Sequence, residues 1–225
     1  MATPKVQLVI YDLDGTLIDS VPDLCHALCA MLRDLQLGAV EITEVQQWIG
    51  NGSLKLVERA LRARGGTEAL LPKAHNLFLA HYRAHLHSPS PMYDGVPSTL
   101  TKLWQKGIAQ AIATNKPQQF VPVLLNQLGI AHTIGAIVGG NTYPTKKPDA
   151  LPLTALLKRF QCPASHALMI GDSRSDALAA KAANIPCWLL EQGYSQGEDL
   201  HALGAEQVFA TFSDMAPELL RRTTR

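Results

Sequence analysis

The sequence predicts an α/β fold, in which a doubly wound, mainly parallel sheet carries an inserted all-helical cap domain. From residue 93 onward, short apolar strand-like runs alternate with helical patterns, as in right-handed β-α-β crossovers. Between residues 19 and 88 only helical patterns occur. We therefore expect a core formed by residues 1–18 and 89–225 and a helical cap formed by residues 19–88.

The first strand and the cap follow from local apolar patterns. Residues 6–10 form an apolar run of strand length, which an aspartate ends. Gly38 and the Gly65-Gly66 pair separate the helical stretches of the cap, and a stiff Ser-Pro-Ser-Pro run at 88–91 closes it. A second helical piece is expected around residues 44–48. The positions at helical spacing in the other three stretches are Leu24, Leu28, Met31, Leu32 and Leu35, then Leu54, Val57 and Leu61, and finally Leu70, Ala74, Leu77, Phe78, His81 and Tyr82.

The second part of the chain supplies the remaining strands and the helices between them. Each predicted strand is short and apolar, and a helical pattern precedes each of the first four. The predicted strands are residues 108–113, 134–138, 167–170 and 187–190, with a last edge strand at 207–209. The predicted helices are one bearing Val96, Leu100 and Leu103, and then 117–128, 149–160 and 174–183.

Composition excludes several classes of function. The chain has 225 residues, of which 47% are hydrophobic and 17% charged, and this is typical of a folded globular protein. A net charge of +1 without long runs of one sign predicts neither nucleic-acid nor membrane binding. The first apolar run is too short to span a bilayer, so we expect a cytoplasmic protein. The sequence is compatible with a monomer or a homodimer.

The cysteines and histidines indicate no metal centre of the zinc-finger type. The four cysteines form no Cys-x-x-Cys pair, and we interpret them as small buried hydrophobic residues. A histidine-rich run contains an i, i+4 pair that could hold zinc, although it equally fits one face of an amphipathic helix. These histidines are His75, His81, His85 and His87.

Two aspartates, Asp12 and Asp14, follow the first strand directly. In an extended chain, side chains two residues apart project to the same side, so the two carboxylates would lie together. Paired carboxylates share a proton or bind a cation. The alternative is an ordinary turn, because Asp-Gly is a common turn dipeptide.

Polar residues also follow the next three strands, where ligands of parallel sheets bind. Thr114, Asn115 and Lys116 could bind an oxyanion or simply cap a helix. Lys147 could bind phosphate or lie in an exposed turn. Asp172 and Asp176 could simply lie at the start of a helix, where the helix dipole favours acidic residues. Together with the first pair, carboxylates without histidine or cysteine favour Mg²⁺, and a lysine beside them suits phosphoryl transfer through an aspartyl-phosphate.

Four motifs in this order resemble those of the haloacid-dehalogenase superfamily. They are Asp12-Leu13-Asp14-Gly15-Thr16-Leu17, Thr114-Asn115, Lys147-Pro148 and Gly171-Asp172-x-x-x-Asp176, and they span most of the chain. Three segments look like the phosphoglycolate phosphatase branch, namely Trp48-Ile49-Gly50-Asn51-Gly52, Thr114-Asn115-Lys116-Pro117 and Gly171-Asp172-Ser173-Arg174. The helical insert is similar to the cap of that branch.

The resemblance implies a role for each motif residue. Asp12 would be the nucleophile, and Asp14 would protonate the leaving oxygen and later activate water. The dehalogenases of the superfamily lack that second acid. Mg²⁺ would be held by Asp12, the backbone carbonyl of Asp14 and Asp172. Asp176 would not bind the ion directly but would orient the lysine and the metal-bound water.

The remaining implied roles concern the substrate. Thr114, Asn115 and Lys147 would hold the phosphoryl group, and Lys147 would also pair with Asp12. In the cap, the loop at 50–53 with Asn51 is the expected contact to the leaving group, although it could be a simple turn between helices.

The resemblance implies hydrolysis of 2-phosphoglycolate to glycolate and phosphate, with a small phosphorylated substrate as the only partner. One alternative is a phosphatase or phosphomutase acting on another small substrate, such as a sugar phosphate or pyrophosphate. The other is a non-catalytic binding protein on the same fold, which would lack an acid or lysine at the motif positions.

Overall fold

The strands of the computed structural model, which describes residues 5–86 and 90–223, form one parallel sheet in the order β3-β2-β1-β4-β5-β6. This arrangement confirms the predicted fold class, and the last strand lies at the edge as predicted. The strands are β1 (Leu8–Tyr11), β2 (Ala109–Ala113), β3 (Ala136–Val138), β4 (Ala167–Gly171), β5 (Cys187–Leu190) and β6 (Gln207–Phe209).

Four helices lie between β1 and β2 at the place of the predicted cap: α1 (Val21–Asp34), α2 (Ile42–Gln46), α3 (Ser53–Ala63) and α4 (Leu71–His85). The chain enters and leaves this insert through two segments that run side by side. Asp19 N–H donates to the Pro91 carbonyl at 3.2 Å, and Tyr93 N–H donates to the Leu17 carbonyl at 3.0 Å. The division at 19–88 stays a prediction, because its second boundary and part of the Ser-Pro run lie outside the described residues.

Helices cover both faces of the sheet. Helices α5 (Val96–Gln105), α6 (Val121–Gln127) and α9 (Phe212–Arg222) pack on one face, and α7 (Leu151–Phe160) and α8 (Arg174–Ala182) pack on the other. Along β1, Val9 and Tyr11 enter the first core while Leu8 and Ile10 enter the second. Strand β1 is therefore apolar throughout rather than alternating, as expected for a strand of a parallel sheet that is buried on both faces.

Several element bounds differ from the sequence prediction, as at β3, which is Ala136–Val138 rather than 134–138. The first strand is Leu8–Tyr11 rather than 6–10, so it extends to the residue before the acidic pair. The predicted helix at 117–128 is a 3₁₀ turn, Gln118–Phe120, followed by the shorter α6. No element is predicted after residue 209, whereas α9 begins at a Thr211 N-cap.

The interpretation of the cysteines holds for two of the four. Cys162 and Cys187 are buried, but Cys25 and Cys29 are half-buried on α1, with both thiols directed at the Val40 carbonyl. Their helical spacing places them at the edge of the cap rather than in its interior.

The cap histidines have separate partners: His75 bonds to Ser53, His81 pairs with Asp34, and His85 lies 3.5 Å from Asp23. His87 lies outside the described residues. Among the described residues, the metal search finds no group that contains histidine. None of the described helices is long and apolar enough to cross a bilayer.

Strand register brings the predicted motif residues to one place. Tyr11, the last residue of β1, pairs with Ile112 of β2 on one side and with Ile170 of β4 on the other. The residues that follow these three strands therefore meet at the carboxyl edge of the sheet. Because the strand order reverses between β1 and β4, a crevice opens there, which is where open α/β sheets bind ligands.

Candidate active site

Asp12 lies at the centre of this crevice, directly after β1. Its N–H donates to the Ile170 carbonyl at 2.9 Å and continues the sheet by one residue. Its Oδ1 accepts from Leu13 N–H at 2.7 Å and lies 3.1 Å from Lys147 Nζ. The carboxylate is thus fixed by its own backbone and by one buried ammonium, as a positioned nucleophile requires.

Asp172 follows β4 and is held by two donors from distant parts of the chain. The Thr16 hydroxyl donates to Oδ1 at 2.8 Å, and Tyr194 N–H donates to Oδ2 at 2.6 Å. Gly15 and Gly193 pack against this carboxylate so closely that a Cβ at either position would overlap it. Tyr194 carries no motif, so the sequence offers no signal for this contact.

Asp176 and Lys147 form a buried ion pair behind Asp12. Lys147 Nζ lies 2.6 Å from Asp176 Oδ1, and both side chains are almost fully buried. Asp176 Oδ2 accepts from the Ser173 hydroxyl at 2.7 Å and from Ser173 N–H at 3.1 Å, because Ser173 and Asp176 form the capping box of α8. Asp176 therefore fixes the lysine that touches Asp12, while its own oxygens are already occupied.

The site concentrates negative charge that one lysine does not neutralise. One carboxylate oxygen from each of Asp12, Asp172 and Asp176 lies within 4.8 Å of the others. Burial, opposed by Lys147, raises the pKa of Asp12 to about 7, and burial followed by the neighbouring acids raises the pKa of Asp172 well above its ordinary value. A cluster of hard oxygen ligands with excess negative charge fits a divalent cation.

Asp14 faces the same cavity as Asp12 but has a different partner. Its Oδ1 lies 2.7 Å from Nζ of Lys116, a buried residue that follows β2. Both aspartates line a small cavity between core and cap. On the cap side its walls are mainly apolar and aromatic, and include Leu24, Leu56, Phe78 and Tyr82.

The residues after β2 line this cavity as well. Thr114 N–H continues the sheet to the Val138 carbonyl at 2.9 Å, and its hydroxyl accepts from Lys116 N–H at 3.2 Å. The Asn115 side-chain amide donates to the Gly50 carbonyl at 2.9 Å and to the Lys147 carbonyl at 3.0 Å. Both amide hydrogens are therefore engaged in joining three loops.

Asn51 occupies a different position from the other predicted site residues. Its Oδ1 accepts from Arg59 Nη2 at 2.6 Å, and its carbonyl accepts from Lys146 Nζ at 2.9 Å. Asn51 lines a neighbouring pocket, whereas Gly50, Gly52 and Ser53 line the cavity with Asp12. The structure thus places the predicted loop over the site and points the Asn51 carboxamide at Arg59. Its role in substrate binding stays a prediction.

These features define a class: an α/β enzyme whose acidic site, at the carboxyl edge of a parallel sheet, is covered by a helical cap. Comparison with known families agrees, since the model of the haloacid dehalogenase-like hydrolases matches residues 9–190. The chain belongs to this family.

Two curated relatives and one solved structure are closely similar. The chain is 39% identical to the phosphoglycolate phosphatase of Colwellia psychrerythraea strain 34H, over 98% of this chain and 100% of that protein. It is 44% identical to the phosphoglycolate phosphatase of Pseudomonas fluorescens strain Pf0-1, over 86% of this chain and 72% of that protein. The crystal structure of a predicted phosphoglycolate phosphatase from Haemophilus somnus 129PT superposes with a TM-score of 0.90 at 30% identity, covering 96% of this chain and 99% of that one.

Proposed function

We propose that this protein hydrolyses 2-phosphoglycolate to glycolate and phosphate through a Mg²⁺-assisted aspartyl-phosphate on Asp12. The observation that carries the proposal is the pair of differently held acids in one cavity, with Asp12 against Lys147 and Asp14 against Lys116. Two curated relatives that bear the name phosphoglycolate phosphatase support the choice of substrate.

In the first half-reaction an oxygen of Asp12 attacks phosphorus. The new bond joins that oxygen to phosphorus while the bond from phosphorus to the glycolate oxygen breaks. Asp14 gives its proton to the departing oxygen, so that glycolate leaves with a neutral hydroxyl. Such general acid catalysis contributes about 10²–10⁴ in rate.

In the second half-reaction water replaces Asp12 on phosphorus. Asp14, now ionised, takes a proton from the attacking water, the bond from phosphorus to the Asp12 oxygen breaks, and phosphate leaves. Asp12 and Asp172, with the backbone carbonyl of Asp14, would hold Mg²⁺, which supplies charge neutralisation for the phosphoryl oxygens.

The remaining motif residues position the reacting groups. Lys147, fixed by Asp176, keeps a positive charge beside Asp12 and the phosphoryl group. Thr114 and Asn115 line the cavity where that group would lie. Asp176 acts through Lys147 rather than by touching the substrate.

The helical insert, residues 19–88, acts in this proposal as a lid. Its cavity wall includes Leu24, Leu56, Phe78 and Tyr82, and these side chains would exclude bulk water from the aspartyl-phosphate. The loop at 50–53 meets the core directly, because the Asn115 amide donates to the Gly50 carbonyl.

A substrate panel tests the proposal. Phosphate release is measured with and without Mg²⁺ on 2-phosphoglycolate, a sugar phosphate and pyrophosphate. We expect a strong preference for 2-phosphoglycolate and loss of turnover in Asp12→Asn, which removes the nucleophilic oxygen but keeps the shape of the side chain.

Thermal melting of Asp12→Asn controls for folding. A preference for the sugar phosphate or for pyrophosphate would overturn the substrate assignment. Near-normal phosphate release by a folded Asp12→Asn protein would remove Asp12 from its role.

A further inference from the structure

Lys116 joins the core to the cap at the active site. Its Nζ lies 2.7 Å from Asp14 Oδ1 and 4.7 Å from the centroid of the Tyr82 ring on α4. The side chain is only 3% exposed. A buried ammonium between a carboxylate and an aromatic face has a fixed position, because both contacts are electrostatically favourable.

On the aromatic side of this position, the Tyr82 ring packs against two other aromatic rings. The Tyr82 ring stacks on Phe78 at 5.9 Å and meets Phe120 edge-on at 5.0 Å. Tyr82 and Phe78 belong to α4 of the cap, whereas Phe120 belongs to the core. The ammonium of Lys116 is therefore placed by a wall that both parts of the molecule build.

Lys116 is the one basic residue among the described residues that line the cavity with Asp12 and Asp14. Lys147 is tied to Asp12 and Asp176 behind the cavity. Neither the apolar cap residues nor Ser53 in the wall provides a positive charge. An anionic group on the leaving alcohol would therefore meet its only countercharge in this wall at Lys116.

The geometry favours an anionic group very close to the ester oxygen. In the proposed reaction Asp14 donates to the leaving oxygen and also touches Lys116, so the leaving oxygen and the ammonium lie within two hydrogen-bond lengths, about 6 Å. In glycolate a single carbon separates the hydroxyl from the carboxylate. An ammonium has three donors, so Lys116 can contact Asp14 and a second carboxylate together.

We propose that Lys116 binds the carboxylate of the leaving group and thereby selects 2-phosphoglycolate over phosphate esters of neutral alcohols of the same size. This inference rests on the proposed function and adds a specificity-determining residue to it. Because the Tyr82 ring completes the position of Lys116, this selection operates when the cap covers the core.

The test compares two phosphate esters of similar size, 2-phosphoglycolate, which carries a carboxylate, and 2-hydroxyethyl phosphate, which carries a neutral hydroxymethyl group in its place. Lys116→Met removes the ammonium and keeps the aliphatic stem against Tyr82. We expect kcat/KM for 2-phosphoglycolate to fall about 100-fold, mainly through KM, because a charge-assisted hydrogen bond is lost. For 2-hydroxyethyl phosphate we expect a loss of less than about 10-fold, so that the preference of the wild-type protein collapses.

The ratio of kcat/KM between the two substrates separates recognition of the carboxylate from an indirect effect on Asp14. Loss of the ion pair with Asp14 would slow both reactions equally, and such an equal loss would overturn the inference. Lys116→Gln gives a second uncharged variant in case Lys116→Met does not fold. Lys158→Met on the exposed side of α7 is the matched control and should leave both reactions unchanged.

The wild-type measurement keeps the two proposals distinguishable. A wild-type protein that does not hydrolyse 2-phosphoglycolate would overturn the proposed function, and the inference with it. A wild-type protein that prefers 2-phosphoglycolate, together with a Lys116→Met protein that retains the preference, would overturn the inference alone.

Discussion

Asp172 shows how tightly single residues are fitted at this site. Two donors hold its carboxylate, Thr16 from the first loop and Tyr194 from the loop after β5. Both bonds are charge-assisted and within normal length, so the orientation of the carboxylate does not depend on a bound cation. The absence of a side chain at Gly193 leaves the volume that the Asp172 carboxylate occupies.

Gly193→Ala should therefore damage the site more than the fold. Its added methyl would overlap the Asp172 carboxylate and push it away from Asp12. We expect the apparent affinity for Mg²⁺ in the phosphatase assay to fall about 10- to 100-fold, as for other changes beside metal ligands. A titration of activity against Mg²⁺ concentration measures this.

Gly204→Ala is the control, because a Cβ at Gly204 meets open space. Its φ of 79° adds backbone strain that Gly193→Ala does not have, so a normal Mg²⁺ requirement in Gly204→Ala assigns the effect at Gly193 to the overlap with Asp172. Equal Mg²⁺ requirements in Gly193→Ala and the wild-type protein would show that Asp172 is not part of the cation site.

At the residue scale, the positions that follow strands can be predicted from the sequence, whereas the partners supplied by distant loops cannot. Asp12, Thr114 and Asp172 could be predicted because strand ends in a parallel sheet converge. The contact of Tyr194 with Asp172 depends on how the loop after β5 folds back, and no local pattern encodes that. The pairing of Lys116 with Asp14 likewise appears only once both strands are placed side by side.

At the element scale, the loop at 48–51 connects cap and core through hydrogen bonds to its backbone. Four consecutive carbonyls accept hydrogen bonds from side chains elsewhere, with Arg59 donating to residue 48. The Gln196 amide, Asn115 and Lys146 then donate to residues 49, 50 and 51. Since the last three donors belong to the core, these three hydrogen bonds hold the cap over the site, and we call them the latch.

Lys146→Met tests the latch, because it removes the donor to the Asn51 carbonyl. Because Lys146 is half-buried, we expect its loss to destabilise the closed cap by about 1 kcal/mol relative to the open cap. Hydrogen exchange of the amides at 48–53 should quicken, and kcat/KM should fall about 5-fold. Lys158→Met serves again as the exposed control. Unchanged exchange in this loop would show that Lys146 does not hold the cap closed.

The elements that periodicity predicts well are those with one dominant burial pattern. The core strands read as apolar runs because both of their faces are covered, and α1 and α4 show apolar residues at helical spacing. Helix α9 is not predicted, although Phe212, Met215 and Leu219 have that spacing. Pro217 interrupts the pattern inside the helix, and a proline in a single sequence favours a break.

At the scale of the whole molecule, cap and core share one hydrophobic core. The cluster on one sheet face continues from Val9 and Tyr11 of β1 through α1 to Phe78 and Tyr82 of α4. The buried acids at the sheet edge, by contrast, destabilise the folded state when they are ionised, because they are desolvated and repel one another. The stability of the folded chain should therefore respond to whatever neutralises them.

Mg²⁺ should raise the melting temperature, and more so at high pH. In the absence of the ion the pKa of Asp12 is about 7, whereas an unfolded aspartate titrates near 3.9. The folded state then binds more protons than the unfolded state between these values, so the stability of the metal-free protein falls as pH rises from about 4 to 7. A cation that binds the ionised carboxylates reverses this loss at pH 8 and has less effect at pH 5.

At 100 times its Kd, Mg²⁺ adds about 2.7 kcal/mol, which corresponds to about 5–10 °C for a chain of this size. Differential scanning calorimetry at pH 5 and pH 8, with Mg²⁺ and with EDTA, measures both effects. Asp12→Asn should lose most of the response at pH 8. An equal response in that variant would place the stabilising ion elsewhere.

The Asn115 amide has a consequence for the end of the catalytic cycle. Its two hydrogens bond to the Gly50 carbonyl in the cap loop and to the Lys147 carbonyl in the core. A phosphoryl group that uses this amide must take one hydrogen from one of them, and the bond to Gly50 is the one that crosses to the cap. Substrate, aspartyl-phosphate and free phosphate all present this group, so the bonds of Gln196 and Lys146 to the neighbouring loop carbonyls would hold the lid until phosphate leaves and the bond to Gly50 forms again.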